Sequence, residues 1–193
     1  MSDTPRILVL FAHLDLRRSR INRAMLDAID DLDHVEVHDL LELYPDFYID
    51  VGAERRALVV ADLLVLQHPL YWYSAPAIIK HWQDVVLERG FAYGPGGTAL
   101  HGKAMLQAVS TGGPVESYQP GGAHGAPLSE YLRPFQQMAR FTGMHPLPPL
   151  VIQGGYTATD AQIAAHAARY RALLAGFRAP EPGSTAANPP QEV

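Results

Sequence analysis

Apolar and polar positions alternate along the chain in blocks of two kinds. Ile7-Leu8-Val9-Leu10-Phe11-Ala12 is a short unbroken apolar run, the pattern of a strand buried on both faces. Ile21, Met25, Ile29 and Leu32 then recur on one helical face. Val35 and Val37 predict a second strand, and Leu40 to Asp50, with its aromatics and Pro45, reads as a structured loop. A short helix over Ala53 to Ala61 precedes the clearest strand, Leu63-Leu64-Val65-Leu66. Pro76 occupies a first-turn helix position, and Ile79, Trp82 and Val86 continue the stripe behind it. Lys103 to Val109 predict a fourth strand; Leu128, Leu132, Phe135 and Met138 another helix; Leu150-Val151-Ile152 a fifth strand. Ile163, Ala167, Tyr170, Leu174 and Phe177 mark the last helix. Residues 179–193 are rich in Pro, Ala and polar residues and predict a disordered tail behind one domain of residues 1–178.

Strands alternating with helices imply a parallel sheet covered on both faces. Right-handed crossovers leave few arrangements for five such strands. The leading one is the α/β, flavodoxin-like three-layer sandwich with a five-stranded parallel sheet in the order 2-1-3-4-5. It places a ligand beyond the carboxyl ends of the strands, so the loops after strands one, three and four are where chemistry is sought.

Composition narrows the function classes. The 193 residues are 48% hydrophobic and 18% charged, an ordinary globular balance. A net charge of −5 gives no basic field for a nucleic-acid partner. No apolar stretch reaches the roughly 18 residues of a membrane span. The absence of cysteine excludes disulfides, thiolate metal sites and a cysteine nucleophile. With the polar start Met1 to Arg6, which shows no leader pattern, it fits a cytoplasmic protein. The nine histidines are scattered without metal-ligand spacing, so no metal is expected.

In the first loop Ser19 is an N-cap candidate, and the helix start behind it (Arg20, Ile21, Asn22) favours an anion. The hydroxyl, Asn22 and nearby arginines are candidate phosphate donors; a simply capped helix with solvated arginines is the other reading. His13 at the strand end is open to a structural or a ligand role. In the second loop Leu70-Tyr71-Trp72-Tyr73 lies between two prolines, and three consecutive aromatics cannot all enter one core. A flat conjugated ring suits such a loop, and so does an interface. In the third, Ser110-Thr111-Gly112-Gly113 allows a backbone to approach a ring closely. Tyr118 and His124 offer a phenol and an imidazole beside it. Two motif matches fail on context. Gly97 to Lys103 imitates a P-loop but carries Ala104 in place of Ser or Thr and precedes a strand; Gly94 to Ala99 imitates a dinucleotide fingerprint without a helix behind it.

Taken together, His13 with Ser19 and Asn22, Leu43 to Asp50, Gln67 to Ser74, Phe91 to Gly94 and Leu100 to Lys103 resemble the flavodoxin-like NAD(P)H:quinone oxidoreductases. The nearest branch is the ancillary quinone reductases of glutathione-regulated potassium-efflux systems, and the likeness spans residues 7–177. The resemblance implies bound FMN (FAD being the alternative), a homodimer, and two-electron, ping-pong hydride transfer from NADH or NADPH to quinones or related acceptors. It assigns His13, Ser19, Arg20, Ile21 and Asn22 to the phosphate and ribityl end. Leu70, Tyr71, Trp72, Tyr73, Ser110, Thr111, Gly112 and Gly113 go to the isoalloxazine, and Tyr118 and His124 to the quinone site. Trp72, Trp82 and the aromatic loop around Pro45 are expected interface material. The other roles in view are an ancillary subunit on a potassium-efflux transporter at the inner membrane face, and an electron-carrier flavodoxin. Three positions depart from the family: Leu14 where Pro is common, Tyr71 where Gln is common, and Pro114 where Gly or Ser is usual.

Overall fold

The structure, a computed structural model, describes residues 4–179; all but the first residue of the expected tail lies outside that span. The unbroken apolar runs form strands whose alternate residues enter two different cores. Strand β1 (Ile7–Phe11) and strand β3 (Leu63–Pro69) are buried along their whole length. So is β4 (Ala104–Ser110). Ile7, Val9 and Phe11 face one core, with Val65 and Leu106; Leu8 and Leu10 face the other, with Leu66 and Met105. The period of two in a parallel sheet covered on both faces explains why these strands read as continuous apolar runs.

The sheet has the expected order. β2 (Val35–Asp39) pairs with β1, β1 with β3, and β3 with β4, all parallel. The outer position differs: two short strands, β5 (His145–Pro146) and β6 (Leu150–Ile152), both lie along β4. Pro148 and Pro149 separate them, because neither residue has an N–H for the ladder.

Helices α1 (Arg20–Asp27) and α6 (Asp160–Ala175) cover one face through Ile21, Met25, Ile163, Tyr170 and Leu174. Helix α1 stops before the end of its apolar stripe. Asp30, Asp31 and Asp33 follow it, and acidic residues oppose the dipole at a helix C-terminus. Ile29 remains buried in the turn beyond.

The other face is covered by α2 (Leu40–Leu43), α3 (Val51–Val60), α4 (Ala77–Val86) and α5 (Leu128–Phe141). The loop expected from Leu40 thus opens with one helical turn, because the Asp39 carboxylate accepts from the Leu41 and Glu42 N–H groups. Trp82, expected at an interface, is instead fully buried in this core. Its indole N–H donates to Glu54 Oε2 at 2.8 Å, which anchors α4 to α3. Glu54 is itself fully buried and also accepts from Tyr44 Oη at 2.7 Å and His38 Nδ1 at 3.0 Å. Burial pushes its carboxyl up, but the bonds from His38, Tyr44 and Trp82 together outweigh burial and hold it below its ordinary value. His38, bonded to both Glu54 and Glu36, is raised to about 9.

Lys103, the lysine of the imitation P-loop, has a structural task. Its Nζ donates to the Val59 and Ala61 carbonyls at the end of α3.

Candidate functional site

Four loops at the carboxyl edge of the sheet enclose one cavity of about 450 Å³, within the range of small-molecule sites. The loop after β1 contributes His13, Arg18, Ser19 and Arg20; the loop after β3, Leu70 and Tyr71; the end of β4, Ser110, Thr111 and Gly112. The fourth wall, Gly155 and Tyr156 after β6, carries no sequence signal.

Ser19 caps α1 as expected, its Oγ accepting from the Asn22 N–H at 3.2 Å. The same oxygen accepts from Asn22 Nδ2 at 3.0 Å. The hydroxyl proton therefore has no acceptor among the described residues, and Ser19 faces the cavity. The first-turn N–H groups of Arg20 and Ile21 lack intrahelical partners by construction. An anion is what this corner suits, with Arg18 in the same wall. Arg20, by contrast, is committed to the start of α6, outside the lining: it donates to the Ala158 carbonyl at 3.0 Å and pairs with Asp160 at 2.6 Å.

Asn22 does not line the cavity. Buried, it divides its amide donors between Ser19 Oγ and Ser110 Oγ, both at 3.0 Å, and so braces the first loop against the end of β4. Its Oδ1 and the Oε1 of neighbouring Gln67 are buried without protein partners, polar atoms of the kind that ordered water satisfies.

The second loop is a tight turn closed in both directions. The Tyr71 N–H donates to the Ser74 carbonyl at 2.9 Å, and the Ser74 N–H returns to the Tyr71 carbonyl at 3.0 Å. Trp72 and Tyr73 at its centre have φ of 48° and 67°. Two successive positive φ values are the signature of a type I′ turn and cost non-glycine residues on the order of 1 kcal/mol each. This backbone turns Trp72 outward, leaving it 93% exposed, while Tyr71 faces inward to the cavity. The three aromatics thus diverge, as their succession in the sequence implied.

In the third loop, a Cβ on Gly112 would stand 2.4 Å from the Tyr156 ring, so the edge of this exposed tyrosine fills the space that a side chain would take. Gly113 lies against Tyr118 and His124. These two rings stack at 4.3 Å and 31° and, with Tyr73 and Tyr131, make an aromatic cluster beside the cavity rather than in its lining. Tyr118 is mostly buried; burial raises its pKa.

His13 and Tyr71, from different loops, meet across the cavity. Their rings are edge to face at 5.9 Å, and His13 Nε2 lies 3.3 Å from Tyr71 Oη. Burial lowers the His13 pKa against the opposing pull of Asp15, and burial raises that of Tyr71.

The flavodoxin-like fold family model matches residues 5–174. The chain belongs to that family. It is 42% identical over 174 residues to the glutathione-regulated potassium-efflux system ancillary protein KefG of Yersinia enterocolitica, covering 90% of this chain and 95% of that protein. Among solved structures it is similar to general stress protein 14 of Treponema denticola in complex with FMN. That likeness is 35% identity and a TM-score of 0.83, over 89% of this chain and 99% of the other. It is also similar to an NADPH-quinone reductase from P. pentosaceus (34% identity, TM-score 0.78, 92% and 99% covered). A fourth relative goes by a different activity, a thermophilic tryptophan halogenase from Streptomycin violaceusniger (44% identity, TM-score 0.82, 86% and 96% covered).

No helix among the described residues is long and apolar enough to cross a membrane.

Proposed function

We propose that this family member is an FMN-dependent NAD(P)H:quinone oxidoreductase. The observation that carries the reading is the cavity itself. One lining combines anion donors (Ser19, Arg18 and the start of α1) with a glycine-and-tyrosine set, Tyr71, Gly112 and Tyr156. A ring bearing a phosphorylated side chain fits that division of labour. The FMN complex of the Treponema relative and the quinone reductase from P. pentosaceus support it.

When bound, FMN supplies two-electron hydride exchange between a nicotinamide donor and an acceptor. The chain's own part is positioning. The Ser19 hydroxyl and the first-turn N–H groups would hold the phosphate. Leu70, Tyr71 and the Ser110 to Gly113 backbone would flank the ring. Asn22 locks the phosphate loop to the ring loop before any ligand arrives, so that neither reorganises during the reaction. Tyr118 and His124, against Gly113 beside the cavity, are the phenol and imidazole offered to an acceptor.

The exposed aromatics Tyr48 and Trp72, with Phe47 packed on His81 of α4, are the proposed homodimer face. A second role, peripheral association with a potassium-efflux transporter at the inner membrane face, is supported by the name of the Yersinia relative. The two roles are compatible.

The deciding experiment is anaerobic spectroscopy. The purified chain loaded with FMN is expected to lose its visible flavin absorption on adding NADPH or NADH and to regain it with a quinone. A chain that takes up no FMN refutes the reading. One that binds FMN but neither oxidises NAD(P)H nor passes electrons to a quinone leaves the ancillary or carrier role.

A further inference from the structure

The bond between His13 and Tyr71 has a direction, and the direction follows from a third residue. The backbone N–H of Asp15 donates to His13 Nδ1 at 3.0 Å. A ring nitrogen that accepts a backbone N–H carries no proton. Neutral His13 therefore holds its single proton on Nε2, which faces Tyr71 Oη at 3.3 Å. With an N–H on that side, the phenol oxygen is the acceptor, and its own proton must be donated elsewhere. No described residue receives it, and Tyr71 borders the cavity. His13, with both nitrogens engaged inside the protein, has no donor left for a ligand. Burial, which holds its pKa down, keeps the ring in this neutral form near neutral pH.

We infer that Tyr71 is the side chain that donates a hydrogen bond to the phosphate monoester of the bound mononucleotide, and that His13 is a positioning residue that fixes the direction of that donor. The inference rests on the flavin reading above and moves the phosphate contact from His13 to Tyr71. The same cavity presents Ser19 and Arg18, so the phenol joins a set of donors that a phosphate, with its several acceptor oxygens, can satisfy together. Glutamine at this position would remove the phenol and keep a donor, its amide N–H.

The test compares FMN with riboflavin, which lacks the phosphate, by fluorescence quenching on the wild-type chain, Tyr71→Phe and Tyr71→Gln. Phe keeps the ring and removes only the hydroxyl. A hydrogen bond to a charged group is worth at least about tenfold in affinity. Tyr71→Phe is therefore expected to bind FMN about tenfold more weakly while binding riboflavin as the wild type does. Tyr71→Gln is expected to restore most of the loss. Long-range proton–nitrogen NMR of His13 is expected to show the Nε2–H form in both the wild type and Tyr71→Phe. Equal losses for FMN and riboflavin, unchanged FMN binding, or a proton on His13 Nδ1 would each overturn the inference.

A wild-type chain that binds neither flavin refutes the flavin assignment instead. Inorganic phosphate then decides the donor: its half-saturation, read by phosphorus line broadening, rises about tenfold in Tyr71→Phe if Tyr71 donates and is unmoved if it does not.

Discussion

Replacing Glu54 with Gln tests whether one buried carboxylate ties α3 to α4. The carboxylate accepts from Tyr44, Trp82 and His38 at 2.7, 2.8 and 3.0 Å. Glutamine keeps the shape but offers one acceptor oxygen to donors that now share two, and it removes the charge. Charge-assisted bonds are about twice as strong as neutral ones, so each neutral donor loses roughly 1 kcal/mol and His38 loses one of its two carboxylate partners, keeping Glu36. The sum is about 3 kcal/mol, or a fall of roughly 1 M in the urea midpoint with an unchanged slope.

The pH dependence supplies a second reading of the same site. His38 is raised from 6.5 to about 9, first by its bond to Glu54, against burial, which lowers it. A histidine raised on folding stabilises fully below its unfolded pKa, near 6.5, and that contribution is lost as pH rises through about 9. The shift corresponds to at most about 3 kcal/mol, less after solvent screening on the Glu36 side. Urea titrations across that window are expected to show the wild type losing stability with rising pH and Glu54→Gln losing much less. Parallel pH curves, or a variant within about 0.5 kcal/mol of the wild type throughout, would refute the reasoning.

Asn22→Ala removes the brace between Ser19 and Ser110; chemical denaturation is expected to show a loss of about 2 kcal/mol, and FMN titration a weaker complex. Gly97→Ala sets a Cβ 2.0 Å from the Tyr93 carbonyl oxygen, a backbone atom that cannot swing aside. Thermal melting is expected to register a loss above about 3 kcal/mol or no folded protein, and a normal melt contradicts the clash. Trp72→Ala is expected to leave stability within about 0.5 kcal/mol, since the indole is 93% exposed, yet to shift sedimentation toward monomer. An unshifted dimer moves the interface off this patch.

The sheet was legible because β1, β3 and β4 are buried on both faces and so carry apolar runs that survive any register. Strand order followed from chirality and placed three of the four cavity walls. Ser19 was legible as a cap because capping is local, set by residues three apart. What stayed hidden depends on contacts between distant residues. Tyr156 has an unremarkable neighbourhood in the sequence and reaches the cavity only because β6 ends beside β4. Glu54 reads as one more solvated helix glutamate until Tyr44, Trp82 and His38 converge on it. Asn22 was assigned to the phosphate on residue type, yet its donors turn away from the cavity toward Ser19 and Ser110. Trp82 was read as interface material because size and aromaticity suit an interface and a core equally; burial decides, and it is core.

The divided outer strand has a bearing on association. Between His145 and Ile152 three prolines, Pro146, Pro148 and Pro149, remove the amide donors that an incoming strand would need. The opposite border, β2, presents Glu36 and His38. Neither margin is a template for recruiting another chain's backbone, the usual route to runaway β-assembly. Any companion, a second copy or a membrane transporter, has to recognise side chains on helices and loops. Recognition of that kind is specific and saturable, and the sheet itself stays closed to growth.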